Sequence, residues 1–500
     1  MTNIIAFNIP LASILILVLA AVIAPVLPED KRLPEKLSCW AIAIVAVMSA
    51  YLLYVLTRNA GAVTFSYPLG RFPAPWGDEL RAGPLEAVLS LSFSVVMLLS
   101  LLGNWSSTEE DVTPKRRQLL ITLINMFTAS LLTLIYINDL FAAYIFVEVI
   151  TIASCAIVAV KEEPETVRAA LRYLVMSTAG SGLIMIAVCL LYGLTGHLLM
   201  TNIHGAVQVL IKTNSYMFPL TVSLALLTIG LAVKGGLYPF SFWLPDAHGT
   251  SINISSAIIS GLVLKGHIFL LIKIYCRVFG LDVIHAMRAD KVIFILGIVG
   301  MIMGSVHALR QTNVKKMIAW SSVAQVGYIF LGLGLNSTAG IAAACLHMIV
   351  HATVKPMVIT AAGALSTAAG HRKGLHALMG TFYDNRWAGM GMIAGACSMM
   401  GVPSFAGFAS KLSLMLASFD SPGIIFSLAA LAASSVLNAL YYVPAVIVIL
   451  THNKNRSNHN VQPPERLFKL SMSIFLALNF YLGLFFMPLL RLITRGVNVL

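Results

Sequence analysis

Residues 255–278 read SSAIISGLVLKGHIFLLIKIYCRV, an apolar run of 24 residues with Lys265 near its middle. A helix that crosses the hydrocarbon core of a bilayer needs roughly 20 predominantly apolar residues, so this run is long enough to span. The same reading repeats along the chain. Apolar runs bounded by charges, Pro or Gly fall at 4–27, 38–57, 84–102, 117–136, 139–160, 171–193, 218–239, 255–278, 291–310, 316–335, 339–365, 388–416, 424–450 and 467–492. The expectation is an all-α polytopic membrane fold of 14 helices. Composition agrees: of 500 residues 58% are hydrophobic and 11% charged, against about 25% charged in an ordinary soluble chain. The mean hydropathy is +0.88.

The net charge of +13 invites a nucleic-acid reading, but the 33 basic residues are scattered, with no basic run flanked by aromatics. Nucleic acid is set aside, and the expected surroundings are a lipid bilayer. Cys39, Cys155, Cys189, Cys276, Cys345 and Cys397 are widely separated, and none forms a CxxC or pairs with His at ligand spacing. No cofactor, metal centre or disulfide framework is expected. The first run has no Lys or Arg before it, and Lys31, Arg32 and Lys36 follow it. It reads as a retained span rather than a signal peptide. The longest polar connections, near 58–83, 194–217 and 366–387, are too short for a soluble domain of about 50 residues or more.

The basic residues also set orientation. Connections after odd-numbered runs hold 19 of them, among them Lys31, Arg117, Lys161, Lys315, Lys373, Lys454 and Arg456. The opposite side with its helix ends holds ten, including Lys273 and Arg277. The positive-inside rule then puts both termini outside and the odd-numbered connections in the cytoplasm of a prokaryotic cell.

Four lysines fit neither side: Lys234, Lys265, Lys355 and Lys411. Each lies inside an apolar run, where a charge at the helix centre costs roughly 2.5–3.5 kcal/mol. The plain alternative is that they snorkel or are neutralised by burial. Glu148, in DLFAAYIFVEVITIASC, has no partner at i±3 or i±4 and needs a cation from another helix; Lys234 is the leading candidate. Helix breaks are expected beside the lysines, at Pro239 in KGGLYPF, Pro356 in HATVKPM and Pro403 in GVPSFAGFASK. Irregular backbone at membrane depth is tolerated only where it is buried or lines a wet cavity, and discontinuous helices near ionisable groups mark transporters. His347, His351 and Lys355 recur at i, i+4, i+8 and share one helix face over about 12 Å. Histidine exchanges protons near neutral pH, so the row resembles a relay; packed histidines are the plain reading, and a metal site lacks a third ligand. His248, the last residue of WLPDAH, is placed to link Lys234 with Lys265.

The motifs NDLFAAYIFVE, RAALRYLVMSTAGSGLIM, LLYGLTG, KGGLYPFSFWLPDAH, QTNVKKMIAWSSVAQVGY and GVPSFAGFASK together resemble the antiporter-like subunits of Mrp-type sodium/proton antiporters, respiratory complex I and membrane-bound energy-converting hydrogenases. The resemblance covers about 117–416. It implies an N-terminal three-helix segment over 1–116, two inverted five-helix repeats over 117–278 and 291–450, broken helices seven and twelve, and a C-terminal helix within 451–500. It further implies proton transfer along a hydrated axis. Glu148 and Lys234 would form the first half-channel's pair, Lys265 the middle link, His347 and His351 the bridge, and Lys411 the terminal lysine. Implied partners are other membrane subunits and, in the redox members, peripheral redox subunits; the ions are H+ and, in the antiporters, Na+. This chain departs from the family at HGTSINISSA after WLPDAH, at Ser241 and at Asn313. Three rivals are a stand-alone cation/proton or solute transporter, a redox enzyme, for which no cofactor motif speaks, and an inert scaffold, for which four buried lysines are costly.

Overall fold

The computed structural model describes residues 4–28, 32–58, 64–72, 77–452 and 464–500. Lys31, Lys454 and Arg456, used above for orientation, lie outside them. Among the described residues 13 helices are long and apolar enough to cross a membrane. The other expected span, 388–416, is two shorter helices, Arg386–Met400 and Ala406–Ser418. The run 467–492 also divides, into Arg466–Leu484 and Phe486–Asn498. The connections carry small elements of their own: a two-stranded hairpin pairing Phe65–Pro68 with Glu79–Ala82, and the helices Trp105–Asp111 and Met200–Lys212.

The helices are not equally enclosed. Peripheral ones such as Ile424–Leu450 turn most of their apolar surface outward, with Ile425 77% and Phe426 70% exposed, as suits a solvent that is itself hydrocarbon. Asn253–Phe279 and Thr338–Ala368 are instead buried along their whole apolar windows, and Val314–Gly334 nearly so. These three form the core. Their interior faces are shielded from lipid by protein, and that is where a polar side chain costs least.

Two apolar helices end by the same local device. Helix Met217–Lys234 ends at Gly235 and Gly236, the latter with φ +70°. Leu237 N–H donates to the Ala232 carbonyl at 3.0 Å and Gly236 N–H to Val233 at 3.3 Å. That is the Schellman pattern, which closes the last carbonyls around a left-handed residue only glycine adopts cheaply. Pro239 follows and cannot continue a helix; the chain resumes as Trp243–Thr250. At Met400 the pattern recurs, with Gly401 at φ +92°, Val402 N–H on the Cys397 carbonyl at 2.9 Å and Gly401 N–H on Ser398 at 3.0 Å, then Pro403.

Pro356 departs from the expectation. Helix Thr338–Ala368 runs unbroken through it for 31 residues. Proline removes one backbone donor, and in a helix walled by protein on every side the remaining bonds and packing hold the axis. The ring fits because the facing position on the middle helix is Gly261, where an added Cβ would stand 2.5 Å from Pro356 Cγ.

Candidate functional site

Helix Leu140–Ala159 starts at Asp139, whose carboxylate accepts from Ala142 N–H at 2.8 Å as an N-cap. Two turns on, Glu148 meets Lys234, the last residue of its own helix. The two are 3.4 Å apart, Nζ to Oε1. Nζ also donates to Thr151 Oγ1 at 2.7 Å, and Ser181 donates to the same Glu148 oxygen. Lys234 is wholly buried, but the Glu148 side chain is 28% exposed; the carboxylate lies at the outer margin of the bundle rather than deep within it. The helices carrying Ser181 and Lys234 approach closely because Gly180 faces Gly230. An added Cβ on either would fall 2.9 or 2.7 Å from the other's carbonyl oxygen, the small-residue contact common between membrane helices.

Lys265 follows a π-helical turn, Ile259–Val263, in the middle helix. Such turns free a backbone carbonyl and recur at functional sites. Here the Ser260 carbonyl accepts from Lys265 Nζ. The Ser260 hydroxyl bonds Ser322 at 2.8 Å. The neighbouring Ser321 accepts from Lys355 Nζ at 2.7 Å, and Lys355 also reaches the Ile318 carbonyl at 3.0 Å and the Tyr442 hydroxyl at 3.2 Å. Ser321 and Tyr442 are themselves 3.0 Å apart. The rings of Tyr442 and Tyr441 are 4.8 Å apart, Tyr441 donates to Asn438 at 2.5 Å, and Asn438 donates to the Met399 carbonyl at 3.2 Å.

That carbonyl is shared with Lys411, whose Nζ donates to Met399 at 2.7 Å, Met400 at 3.2 Å and Ser435 Oγ at 3.3 Å. A cation at a helix C-terminus complements both the orphan carbonyls and the helix dipole. Lys411 also sits 5.0 Å above the Tyr328 ring. From there a second branch runs through His347, 5.2 Å from Tyr328 and 2.9 Å from Ser410 Oγ by its Nδ1. The rings of His347 and His351 are near-parallel at 6.3 Å, and neither His351 nitrogen has a hydrogen-bond partner among the described residues. Lys355 shares their face but bonds the other way, to Val314–Gly334 and Tyr442. His248 is buried on the half-helix Trp243–Thr250 with Nε2 unpartnered among the described residues. No hydrogen bond joins it to Lys234 or Lys265 among the described residues.

Sequence reading missed two things here. The Ser260, Ser321, Ser322, Asn438, Tyr441 and Tyr442 links carry no charge, so nothing in an apolar run singles them out. The charge count also fell short, because Lys273 and Arg277, assigned to a helix end, are both buried. Lys273 donates to the carbonyls of Leu134, Ile135 and Ile137 at 3.0, 3.2 and 2.5 Å, and Arg277 pairs with Glu86. Glu86, an acid two residues into the run 84–102, was the available signal.

A family profile described as NADH:quinone oxidoreductase/Mrp antiporter, TM matches residues 137–437. The chain is 29% identical over 451 residues to an NADH-quinone oxidoreductase subunit N from Desulforudis audaxviator, covering 86% of this chain and 85% of that one. It is 26% identical over 404 residues to a Na(+)/H(+) antiporter subunit from Alkalihalophilus pseudofirmus, covering 81% and 79%. Among solved structures, a chain of an archaeal membrane-bound sulfane sulfur reductase superposes with a TM-score of 0.88 at 25% identity, covering 98% and 97%. A chain of the Mrp complex from a Dietzia species gives 0.87 at 21%, covering 99% and 97%.

Proposed function

The chain belongs to the NADH:quinone oxidoreductase/Mrp antiporter membrane family, and from that premise we propose that it is the proton-translocating, antiporter-like subunit of a multi-subunit ion-pumping membrane complex. One observation carries the reading: Lys265, Lys355 and Lys411 are all buried, and the space between them holds short hydrogen-bonded segments of polar side chains, Ser260 with Ser322, Lys355 with Ser321 and Tyr442, and Tyr441 with Asn438, the last sharing the Met399 carbonyl with Lys411. Hydroxyls both donate and accept, so they can pass a proton where backbone amides cannot. Gaps longer than a hydrogen bond are bridged by water.

In this reading Glu148 and Lys234 form the first half-channel's pair, with Thr151 and Ser181 orienting them. Lys265 links the halves, Lys355 and the two histidines bridge, and Lys411 ends the second half. His248 serves as an accessory group beside Lys265. Protonation of one site changes the electrostatic work of keeping charge at the next. The scale is adequate: one charge crossing 100 mV is worth about 2.3 kcal/mol, comparable to one or two charge-assisted hydrogen bonds at about 1.5–3 kcal/mol each.

The odd-numbered connections face the cytoplasm, and both termini lie outside. The convergence of Arg172, Lys315, Lys316 and Lys373 around one half-helix supports this. Arg172 and Lys316 reach Asp246 at 2.6 and 3.7 Å, Lys315 the Ser251 carbonyl at 3.2 Å and Lys373 the Gly249 carbonyl at 3.2 Å. H+ is the transported ion; Na+ coupling and peripheral redox subunits depend on the parent complex, which copurification identifies. The decisive experiment reconstitutes the purified complex in sealed vesicles. Glu148→Gln and Lys411→Ala are each expected to abolish coupled proton movement with the complex still assembled on a native gel. Normal pumping by either variant overturns the relay.

A further inference from the structure

Away from the axis, a cavity of about 1020 Å³ opens between helix Ala289–Leu309 and helix Ile424–Leu450. That is the upper end of the range of about 300–1,000 Å³ for small-molecule sites. Its walls are apolar, with Phe294, Ile298, Val299 and Phe426 among them. Phe294 closes the floor because Gly334 and Gly423 flank it; an added Cβ on them would stand 2.5 and 2.9 Å from its atoms. Its outer edge is apolar and exposed, with Ile295 58% and Phe426 70% exposed.

Only one end is polar. There Asp290, 6% exposed, takes His285 Nδ1 on one oxygen at 2.7 Å, while its Oδ1 has no partner among the described residues. Asn336 donates to the Leu281 carbonyl at 3.0 Å, and its buried Oδ1 is likewise unpartnered. Beside them Lys291 lines the same cavity, exposed and in no ion pair among the described residues. Two buried, unmet acceptors and one exposed cation without an ion pair among the described residues, all on residues lining the polar end of an apolar groove, complement a zwitterion with acyl chains.

We propose that this groove is a specific site for phosphatidylethanolamine. The ammonium donates to Asp290 Oδ1 and Asn336 Oδ1, the phosphate pairs with Lys291, and an acyl chain lies along Ile298, Val299 and Phe426. Phosphatidylcholine offers the same phosphate and chains but no N–H, so it cannot satisfy the two acceptors. The site also adjoins the transport machinery: Phe294 and Ile298 pack on a cluster that includes Tyr328 and Leu414, and Lys411 sits over the Tyr328 ring.

The test counts lipids retained by the purified, assembled complex in native mass spectrometry after exchange against equal phosphatidylethanolamine and phosphatidylcholine of identical chains. Wild type is expected to favour phosphatidylethanolamine about tenfold or more at one site, the weight of a charge-assisted hydrogen bond. Asp290→Ala removes the preference. Because that change also frees His285, a second variant, Val299→Trp, fills the groove from its outer wall with the headgroup residues intact, and should lose both lipids. Equal retention of the two lipids by wild type, or a preference that survives both variants, overturns the proposal. So does a cysteine at Ile295→Cys that crosslinks to another subunit in the complex, since the groove is then a protein interface. Proton pumping is not the readout, so the result stands apart from the relay.

Discussion

Tyr442→Phe isolates one link of the proposed chain, because it deletes a single oxygen and keeps the ring. The hydroxyl makes two bonds, to Ser321 at 3.0 Å and to Lys355 Nζ at 3.2 Å. Lys355 keeps the Ile318 carbonyl, the Ser321 hydroxyl and the ring face 5.9 Å away, so the ammonium stays held and little volume changes. The neutral bond is worth about 1 kcal/mol and the charge-assisted one about 1.5–3 kcal/mol. Losing the charge-assisted bond alone slows a step through this hydroxyl by about 10- to 150-fold, at about 1.36 kcal/mol per decade. The assay is proton uptake by sealed vesicles holding the purified complex, read with an interior pH dye under an imposed potential of about 100 mV. The matched control is Ser410→Ala, which touches the network through His347. Wild-type transport by Tyr442→Phe refutes the hydroxyl route, and a slowed Ser410→Ala beside it assigns the connection to the histidines.

Gly230→Val should lower the yield of folded complex and its Tm, since the new side chain meets the Gly180 carbonyl and the Ile184 side chain, both 2.7 Å from its Cβ; overpacking of this kind costs about 1–3 kcal/mol. Lys273→Met should destabilise by about 3 kcal/mol or more by stranding three carbonyls, at about 1–3 kcal/mol per buried unmet group, while transport per folded complex, measured after thermal sorting, is unchanged. Lys373, outside the membrane helices, has its pKa lowered from 10.5 by burial and then by Lys161. The unfolded chain therefore binds more protons than the folded one between that lowered value and 10.5, so stability rises with pH across this interval. Lys373→Met should flatten that rise in denaturation curves measured from neutral to alkaline pH.

Where the chain is apolar and where it turns was legible in the sequence, because both depend on local composition. The run boundaries differ from the helices by a few residues, and the chain leaves the helix after Lys234 and Met400 at glycines whose positive φ closes the end. Pro356 misled because a proline's effect is decided by what surrounds it; its ring found a glycine on the facing helix, which no single run reveals. Lys273 and Arg277 misled for a related reason. Distance along a run does not measure depth from the surface: the middle helix is enclosed by protein to its end, and Glu86 lies on another helix. The pairing of Glu148 with Lys234 was readable since an unpaired carboxylate restricts its partner to a cation, but its partial exposure was not, as that depends on which face of Leu140–Ala159 the bundle covers.

The kind of partner each buried cation holds separates fixed charges from those suited to carry protons. Lys273 is bound by three backbone carbonyls and Arg277 by the Glu86 carboxylate. These partners only accept, so a proton given up there has no onward donor, and removing either side leaves a buried group unmatched. Lys234, Lys355 and Lys411 each bond at least one hydroxyl: Thr151, then Ser321 with Tyr442, then Ser435. A hydroxyl can accept from an ammonium and donate elsewhere, which is the property the proposed relay requires of a lysine's neighbour. Lys265 falls between the classes, bonded to the Ser260 carbonyl while the hydroxyl of that same residue turns to Ser322. By this criterion Lys265 is the proposed relay lysine whose bond among the described residues goes to a carbonyl rather than a hydroxyl.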